Sequence, residues 1–441
     1  MKTLCRNKNN WAEKKPMWED ERKKTVTRNI IIGLLLVTLV AGLGVAMRKV
    51  MKQIEQEDRR LSAIKQEQQQ QLNDNRQGNI DAIQHAYETD METVAAYLPG
   101  VVCWGDSLTA GTSGNVSYPA ALQKYIDTYL CEVYDLRYTI DNAVEYSWLD
   151  WSDYKVSIPV INMGAGKENA STVLGRAGVK PFVVQNSFEI PAGVEKIAIS
   201  LVSSDGKPVS PLTGGDMEMN PVTIAGVEGT LSLESGGWER KYYFSRSTAG
   251  EPVAIEKGAE IKVASASRYR DYIHVVWLGT YDGFVNSNDL VQEVKQLLAR
   301  QTQNPERYLV IGPCTYNGSW SADVLHNLNA IDTAMMQAFG KKYVNLRKYL
   351  IEDGLRDAGL TPTKADTANM TVGCVPDSFR SGVGSVNLNA QAYTLTGKLI
   401  YGRMEALGYF DEIREELGID ITTREILKND PEYFLRKFEN D

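Results

Sequence analysis

The sequence predicts an α/β fold in which helices cover a parallel sheet. Short β-branched apolar runs, each followed by a glycine or a polar loop, indicate buried strands at residues 101–104, 160–162, 273–278 and 308–311. Helical patterns lie between and after these runs, at residues 118–129, 289–300, 322–339 and 392–407. Strands that alternate with helices in this way are typical of a parallel sheet, and ligands of such sheets bind at the carboxyl ends of the strands.

The first 47 residues predict a membrane anchor. Residues 30–47 carry no charge, and a run of about 18 apolar residues is near the shortest helix that spans a bilayer. Residues 1–29 hold nine lysines and arginines against four acids. The positive-inside bias therefore predicts a cytoplasmic tail at 1–29, a single span at 30–47 in the cell membrane, and an extracellular main domain. A cleaved signal peptide is the alternative interpretation.

The rest of the chain divides into three predicted segments. Residues 48–95 are polar and Gln-rich with apolar residues at three- and seven-residue spacings, which fits a helical stalk and equally a solvated spacer. Residues 96–412 hold the α/β domain. Within it, residues 170–270 predict a β-rich insertion that either overhangs the carboxyl ends of the strands or packs on the flank of the sheet. Residues 413–441 predict a charged helical tail.

Charge and composition narrow the possible ligands. The whole chain carries −8 and residues 1–29 carry +5, so the remainder carries −13. An acidic surface of this kind disfavours nucleic acid and anionic lipid headgroups and points to a neutral or sugar-like ligand. No cysteine pair of the CxxC type, metal-ligand cluster or nucleotide phosphate loop is present, so neither a metal nor another cofactor is expected.

A serine follows the first predicted strand at a tight, glycine-bounded turn. The segment reads Gly105-Asp106-Ser107-Leu108, followed by Thr-Ala-Gly. A strand that runs into such a turn can expose a nucleophilic hydroxyl. The block resembles that of the SGNH/GDSL hydrolase family of esterases and deacylases. The resemblance spans about residues 98–410 and implies a three-layer α/β/α, flavodoxin-like fold with Ser107 as nucleophile and Gly105 and Asp106 as motif residues.

The second family block supplies a glycine whose backbone N–H stabilises the oxyanion. Residues 160–169 resemble this block, with Gly164 as a motif residue. Lys167, directly after Gly166, stands in the place of the donor glycine. A backbone N–H persists with any side chain, so the resemblance still implies oxyanion donors at Gly166 and Lys167.

The third family block is Gly-x-Asn-Asp, whose asparagine donates a second hydrogen bond to the oxyanion. Residues 277–282 fit this frame with Gly279 and Asp282 in the motif positions and Tyr281 in the asparagine place. A tyrosine hydroxyl can donate, although it reaches further than an amide. Loss of one such donor typically lowers the rate by ~10²–10³.

The fourth family block, Asp-x-x-His before the last helix, has lost both catalytic residues. The segment Gly384-Ser385-Val386-Asn387 places Gly384 in the Asp position and Asn387 in the His position. An asparagine amide has no basic lone pair near pH 7, so it cannot take the serine proton. Removing the histidine of a comparable triad leaves a residual rate of roughly 10³–10⁴-fold over water.

Three histidines could replace the missing base. His85 precedes the domain, and His274 lies on a predicted strand about 16 Å from its reactive end, at ~3.3 Å per residue. His326 follows Asp323 in a second Asp-x-x-His segment, so the two share a helix face. The Asp323–His326 pair is the candidate for a substitute base, with an ordinary surface pair as the alternative.

The sequence leaves two principal functions open. One is a membrane-tethered SGNH-like domain that has lost esterase chemistry and binds a cell-envelope glycan, an acylated carbohydrate or a partner protein. The other is an active carbohydrate esterase that uses Ser107 with a replacement base such as His326. A purely structural surface protein is a third possibility, and the sequence does not indicate the oligomeric state.

Overall fold

Five parallel strands form the sheet that carries the candidate site, and a separate antiparallel sheet is inserted into their order. The computed structural model describes residues 21–25, 27–29, 31, 44–112, 116–131, 156–166, 168–207, 209, 219–236, 239–281, 286–301, 305–315 and 320–418. The strands in chain order are β1 (Val101–Gly105), β2 (Val160–Gly164), β3 (Phe182–Val184), β4 (Phe188–Ile190), β5 (Ile197–Ile199), β6 (Leu201–Ser203), β7 (Val222–Ile224), β8 (Val227–Gly236), β9 (Glu239–Arg246), β10 (Val253–Ile255), β11 (Glu260–Val263), β12 (Ile273–Trp277), β13 (Tyr308–Ile311) and β14 (Tyr343–Val344).

The helices pack on this sheet or precede it. In chain order they are α1 (Gly44–Tyr97), α2 (Ser107–Ala110), α3 (Tyr118–Ile126), α4 (Ala170–Arg176), α5 (Ser287–Leu298), α6 (Ala322–Phe339), α7 (Leu346–Tyr349), α8 (Leu355–Asp357), α9 (Lys364–Thr371), α10 (Ala390–Ala406) and α11 (Asp411–Glu416). π-helical turns follow α3 at Asp127–Cys131 and α7 at Leu350–Gly354. By contacts the chain separates into two compact units, residues 1–85 and residues 86–441.

The first unit contains most of the long helix α1. Residues 51–78 of this helix are almost all exposed, including Met51, Ile64 and Leu72. The residues predicted as a stalk or spacer are therefore helical. The Arg22 guanidinium lies 3.0 Å from the Asp58 carboxylate, which joins a short helical stretch at residues 21–25 to α1.

The predicted membrane span at 30–47 lies largely outside the described residues, of which it contains only Ile31 and residues 44–47. Among the helices that are described, none is both long enough and apolar enough to cross a membrane. The Arg22–Asp58 pair bears on the prediction because the two residues flank the span. A straight helix of 18 residues would separate the residues on either side of it by about 27 Å. The Arg22–Asp58 contact and a straight span at residues 30–47 therefore cannot be present in the same conformation.

The parallel sheet has the strand order β14-β13-β12-β1-β2. All four pairings are parallel, with Val101 opposite both Ile273 and Val160. Counted along the chain without the insertion, this is the order 2-1-3-4-5, which is the flavodoxin-like arrangement. The predicted α/β class with a parallel sheet is confirmed.

Helices cover both faces of this sheet. Successive side chains of a strand point to opposite faces, and apolar side chains on both faces are buried against helices. Cys103, Val275 and Leu309 point to the face that α3 and α10 cover. Val102, Val276 and Val310 point to the face that α4, α5 and α6 cover. Each such aliphatic side chain contributes roughly 1.5–3 kcal/mol when fully buried. The result is three layers with the sheet in the middle.

The insertion forms a core of its own. Seven antiparallel strands in the order β5-β9-β8-β7-β11-β3-β6, together with the β4–β10 ribbon, enclose apolar side chains such as Phe182, Ile224 and Phe244. These strands occupy residues 182–263, whereas the insertion was predicted at 170–270. The boundary is wrong because residues 170–176 form α4, whose Val173 and Leu174 pack on the parallel sheet.

The insertion leaves and rejoins the domain near the amino ends of the parallel strands. Helix α4 runs back from the carboxyl end of β2 before the insertion starts, and the chain returns directly to the first residue of β12. The insertion is fastened to α5 by Lys180, whose ammonium lies 2.8 Å from Glu293 and 3.0 Å from Asp205. It therefore sits on the flank of the sheet, away from the carboxyl ends of the strands.

The predicted tail at 413–441 is described only to Gly418. Its first residues belong to α11, where Ile413 is buried in the core. Arg414 pairs with Glu405 of α10, which fastens α11 to the preceding helix. Residues 419–441 lie outside the described part of the chain.

Cross-linking distinguishes the Arg22–Asp58 contact from a membrane span. We expect a Cys5→Ser chain carrying Arg22→Cys and Asp58→Cys to be joined within one molecule by a short bis-maleimide, because the two side chains are in contact. Gel mobility after proteolysis between the two sites reports the link. Either single cysteine variant is the control. Labelling of the two cysteines from opposite sides of a membrane would instead establish the span.

Candidate functional site

The candidate site lies where the order of the parallel strands reverses. Ser107 directly follows β1, and Tyr281 follows β12, its neighbour in the sheet. The chain passes from β1 to β2 on one side and then crosses to β12 on the other. In sheets of this kind, the crevice outside the carboxyl ends of the strands at this switch point is the usual ligand site.

Two glycines allow the serine turn to sit directly on the strand ends. A Cβ on Gly105 would overlap the Thr109 side chain, and a Cβ on Gly164 would overlap the backbone N of Ala110. Any other residue at these positions would push the short helix α2 away from the sheet. The motif glycines thus bring Ser107 and the end of β2 together.

The Ser107 hydroxyl is hydrogen-bonded to the Tyr281 hydroxyl at 2.7 Å. Ser107 is buried, at 8 % exposure, and Tyr281 is half-buried. Burial raises the pKa of Tyr281, and the nearby Asp106 charge adds to this, while the hydrogen bond to Ser107 opposes it. Tyr281 is therefore a neutral phenol at neutral pH, so it can donate a hydrogen bond but cannot act as a general base.

Asp106 shapes the turn and the electrostatics around it. Its side chain caps α2 by accepting a hydrogen bond from the backbone N of Leu108 at 2.8 Å. The buried carboxylate raises the pKa of Tyr281, and also that of Tyr393, whose pKa is raised mainly by its burial. Burial is the main cause of both shifts and the carboxylate adds to them, so the two hydroxyl groups are protonated at neutral pH.

The altered fourth block forms a hairpin-like loop. Arg380 and Leu388 make an antiparallel bridge, and the backbone N of Ser381 donates to the Asn387 carbonyl at 2.9 Å. Thr315, which follows β13, donates its hydroxyl to the Val386 carbonyl at 2.8 Å and ties the loop to the sheet. Asn389 then caps α10 by accepting from the backbone N of Ala392.

The residues in the Asp and His positions occupy different surroundings in this loop. Gly384 lies at the exposed tip with φ of +70°, next to Val383, which is 95 % exposed. Asn387 is partly buried, and its Oδ1 atom has no hydrogen-bond partner among the described residues. Asn387 and Ser107 are not hydrogen-bonded to each other. No group in the described part of the chain that is basic at neutral pH contacts the Ser107 hydroxyl.

The oxyanion positions are only partly described. Gly164 ends β2, and Gly166 lies in the loop that follows, at the carboxyl end of the sheet. Gly279 has φ of +104°, a conformation that favours glycine, at the turn that leads to Tyr281. Lys167 and Asp282 lie outside the described residues. The oxyanion role predicted for Lys167 and the motif role predicted for Asp282 therefore stay predictions.

The structure does not bring a histidine to Ser107 among the described contacts. His326 and Asp323 are exposed on α6, and neither side chain forms a hydrogen bond or an ion pair with another described residue. The core-facing residues of α6 are Leu328, Ile331 and Met335, so the pair does not lie on the face that packs on the sheet. His85 belongs to the first unit.

His274 is a core residue. It is 3 % exposed on β12, and its Nε2 atom lies 3.0 Å from the Tyr269 carbonyl before the strand. Its Nδ1 atom has no partner among the described residues. Burial lowers the pKa of His274 to about 4. The ring is neutral at pH 7 and packs near the amino end of the strand, as the sequence predicted.

Sequence reasoning missed a buried ion pair beneath the site. The Arg176 guanidinium lies 2.7 Å from the Glu168 carboxylate, and both side chains are 1 % exposed. Arg176 also donates to the main-chain carbonyls of Met163 and Gly105, at 2.9 and 3.4 Å, near the ends of β2 and β1. Burial raises the pKa of Glu168, and Arg176 opposes this shift. No periodicity in the sequence marks two residues eight apart as partners.

A buried tyrosine was also missed. Tyr393, in the first turn of α10, is 1 % exposed, and its hydroxyl has no hydrogen-bond partner among the described residues. Burial raises the pKa of Tyr393, and Cys314, Asp106 and Tyr281 add smaller contributions in the same direction. Its position after the Leu388-Asn389 match was the available signal. No cluster of three metal-ligating side chains occurs among the described residues.

Comparisons with known proteins do not identify the chain. No family model matches it, and no curated protein matches it. Among solved structures, one described as "Peptidoglycan O-acetylesterase in action, 5 min" shares 11 % sequence identity, covering 75 % of this chain and 96 % of that chain, with a TM-score of 0.28. A TM-score this low carries no argument about fold or function.

Breaking the buried pair should strongly destabilise the domain. We expect Glu168→Ala to lower the free energy of unfolding by about 3–5 kcal/mol, because it leaves the Arg176 charge buried without its partner. Urea denaturation measures the loss. Glu234→Ala, which breaks the exposed Lys196–Glu234 pair, is the matched control and should cost no more than about 1 kcal/mol. Equal losses in the two variants would show that the buried pair is unimportant.

His274 should make stability fall in acid. Its pKa drops from 6.5 to about 4 on folding, so the unfolded chain binds the proton more readily between these values. Stability contributed by the neutral ring is complete above pH 6.5 and declines by about 3 kcal/mol as the pH falls to 4. Comparing urea unfolding of the wild type and His274→Leu across this range tests it. An unchanged pH slope in the variant would contradict the assignment.

Proposed function

We propose that the protein is an SGNH/GDSL-type domain that has lost competent esterase chemistry and uses the crevice at Ser107 to bind a glycan, acylated or plain. The observation that carries this proposal is the hydrogen bond between Ser107 and Tyr281. The serine hydroxyl is paired with a phenol whose pKa is raised, and the residue in the catalytic histidine position is Asn387.

The family assignment rests on the position of the sequence motif in the fold. The Gly-Asp-Ser-Leu block follows β1 at the switch point of a sheet with order 2-1-3-4-5. The third-block residue Tyr281 reaches the same serine, and the Leu-Asn of the fourth block leads into α10 through the Asn389 cap. The first block thus follows β1, the third follows β12, and the fourth precedes α10, although the three are far apart in sequence.

The loss of catalysis follows from proton transfer. A serine hydroxyl is a weak nucleophile unless a neighbouring base removes its proton. A neutral phenol at 2.7 Å offers no such base near pH 7. An active esterase with His326 as base would need this exposed residue of α6 to reach Ser107, and no described contact of His326 favours it.

A glycan is the preferred ligand because the groups around Ser107 are neutral hydroxyls beside one buried acid. Ser107 and Tyr281 can each donate and accept hydrogen bonds, which suits sugar hydroxyl and ester oxygens. The buried Asp106 carboxylate disfavours an anionic ligand at the same place. The net negative charge of the whole chain likewise disfavours an anionic ligand. Attachment to the cell surface through residues 30–47 is a separate part of the proposal. It requires the Arg22–Asp58 contact to be open at the membrane, so the cross-link described above would count against it.

Hydrolysis of 4-nitrophenyl acetate by the full chain tests the loss of catalysis. We expect the wild type and Ser107→Ala to have the same rate, because the serine lacks a base. We expect Asn387→His, alone or with Gly384→Asp, to raise the rate, since a histidine returns to the family position. Ser107→Ala combined with Asn387→His is the control that shows whether any gain depends on the serine.

A wild-type rate well above that of Ser107→Ala would overturn the proposal and favour an active esterase. His326→Ala would then show whether His326 is the base. Binding is tested separately by titrating acetylated and unacetylated oligosaccharides into the wild type and Tyr281→Phe. The variant should bind more weakly, since it removes one hydroxyl of the pair.

A further inference from the structure

A second concave site lies at the far edge of the parallel sheet. A pocket of about 410 Å³ runs along β14, the edge strand, between the end of α6, the α7 and π-helical turns, and α10. This volume is within the range of small-molecule sites, about 300–1,000 Å³. Two strands, β13 and β12, separate β14 from β1, and no residue of the Ser107 site lines the pocket.

Cationic side chains surround this pocket. Lys341 and Lys348 are exposed at its rim, and neither forms an ion pair with another described residue. Arg403 of α10 joins them and is positioned by a hydrogen bond from Nη1 to the Lys341 carbonyl at 3.2 Å. Three cations at one pocket stand out in a chain of net charge −8. Clefts lined by one sign of charge concentrate ligands of the opposite sign.

Acidic residues do not cancel this charge. Two acids, Glu352 and Asp353, also line the pocket. Asp353 is engaged by Arg356, whose guanidinium lies 2.8 Å from its carboxylate. Glu352, the other acid that lines the pocket, forms no ion pair with a described residue.

The wall of the pocket is apolar. Val344 and Leu399 are buried at its base, and Met336 at its rim is 50 % exposed. An exposed thioether side chain adapts readily to an apolar ligand surface. Apolar walls with a few convergent charged groups are the usual composition of a site for a small organic ligand.

We propose that this pocket binds a small organic anion. A carboxylate or phosphate group is held by Lys341, Lys348 and Arg403, and the apolar part of the ligand packs against Met336 and Leu399. The site is independent of the Ser107 crevice and of its proposed glycan.

Calorimetric titration of the full chain with phenyl phosphate and with phenylacetate tests the proposal and separates the two anionic groups. Inorganic phosphate and phenol test each half of the ligand alone. We expect one of the two complete probes to bind more tightly than either half. Lys341→Ala with Lys348→Ala should weaken its binding about tenfold or more. Met336→Ala should weaken the aromatic probe without changing inorganic phosphate.

Matched variants make the outcomes decisive. Lys257→Ala with Lys262→Ala removes the same charge from exposed positions on the insertion and should leave binding unchanged. If the two double variants weakened binding of the probe equally, the effect would be one of overall charge, and the proposed site would be wrong. A loss of binding in Ser107→Ala would place the probe in the other crevice. Failure of both probes to bind at millimolar concentration would also overturn the proposal.

Discussion

Arg176 holds the carboxyl ends of two strands together from inside the protein. Its guanidinium is 1 % exposed, pairs with Glu168, and donates to main-chain carbonyls at the ends of β1 and β2. These contacts fasten the last turn of α4 to the ends of both strands, although Nη1 of Arg176 has no hydrogen-bond partner among the described residues. Helix α2 packs on the same strand ends through Gly105 and Gly164. The geometry at Ser107 therefore depends on an ion pair that never touches the serine.

Helix α4, which carries Arg176, also determines where the insertion lies. Helix α4 carries Arg176 at its last turn, and the chain enters the insertion only after this helix has returned toward the amino ends of the strands. The Ser265 hydroxyl then donates to the Arg176 carbonyl at 2.6 Å on the way back. The antiparallel sheet is thus anchored near the end of α4 farthest from the serine.

The sequence predicted those parts of the fold that local patterns encode. Runs such as Val101 to Trp104 are apolar because both faces of a parallel strand are buried, and such runs are visible without a structure. The boundary of the insertion was misplaced because Ala170–Arg176 is too short to show helical periodicity. At the site, the motif blocks placed Ser107 and Tyr281 shortly after two predicted strands. The pairing of those strands, the hydrogen bond between the two residues and the burial of Glu168 arise from tertiary packing alone. The exposure of His326 agrees with the alternative that Asp323 and His326 are an ordinary surface pair.

The features of Ser107 that would hinder catalysis are the ones that would suit the proposed binding of a glycan. A triad needs a group that becomes charged during the reaction, and a buried site must stabilise that charge. Here burial raises the pKa of Tyr281 and of Tyr393, and the Asp106 charge adds to both shifts, so the two phenols are neutral. Two hydroxyls at 2.7 Å can exchange donor and acceptor roles without any charge moving. Such a pair adapts to a neutral oxygen ligand at little electrostatic cost, whereas generating an alkoxide there would set a second negative charge beside the Asp106 carboxylate.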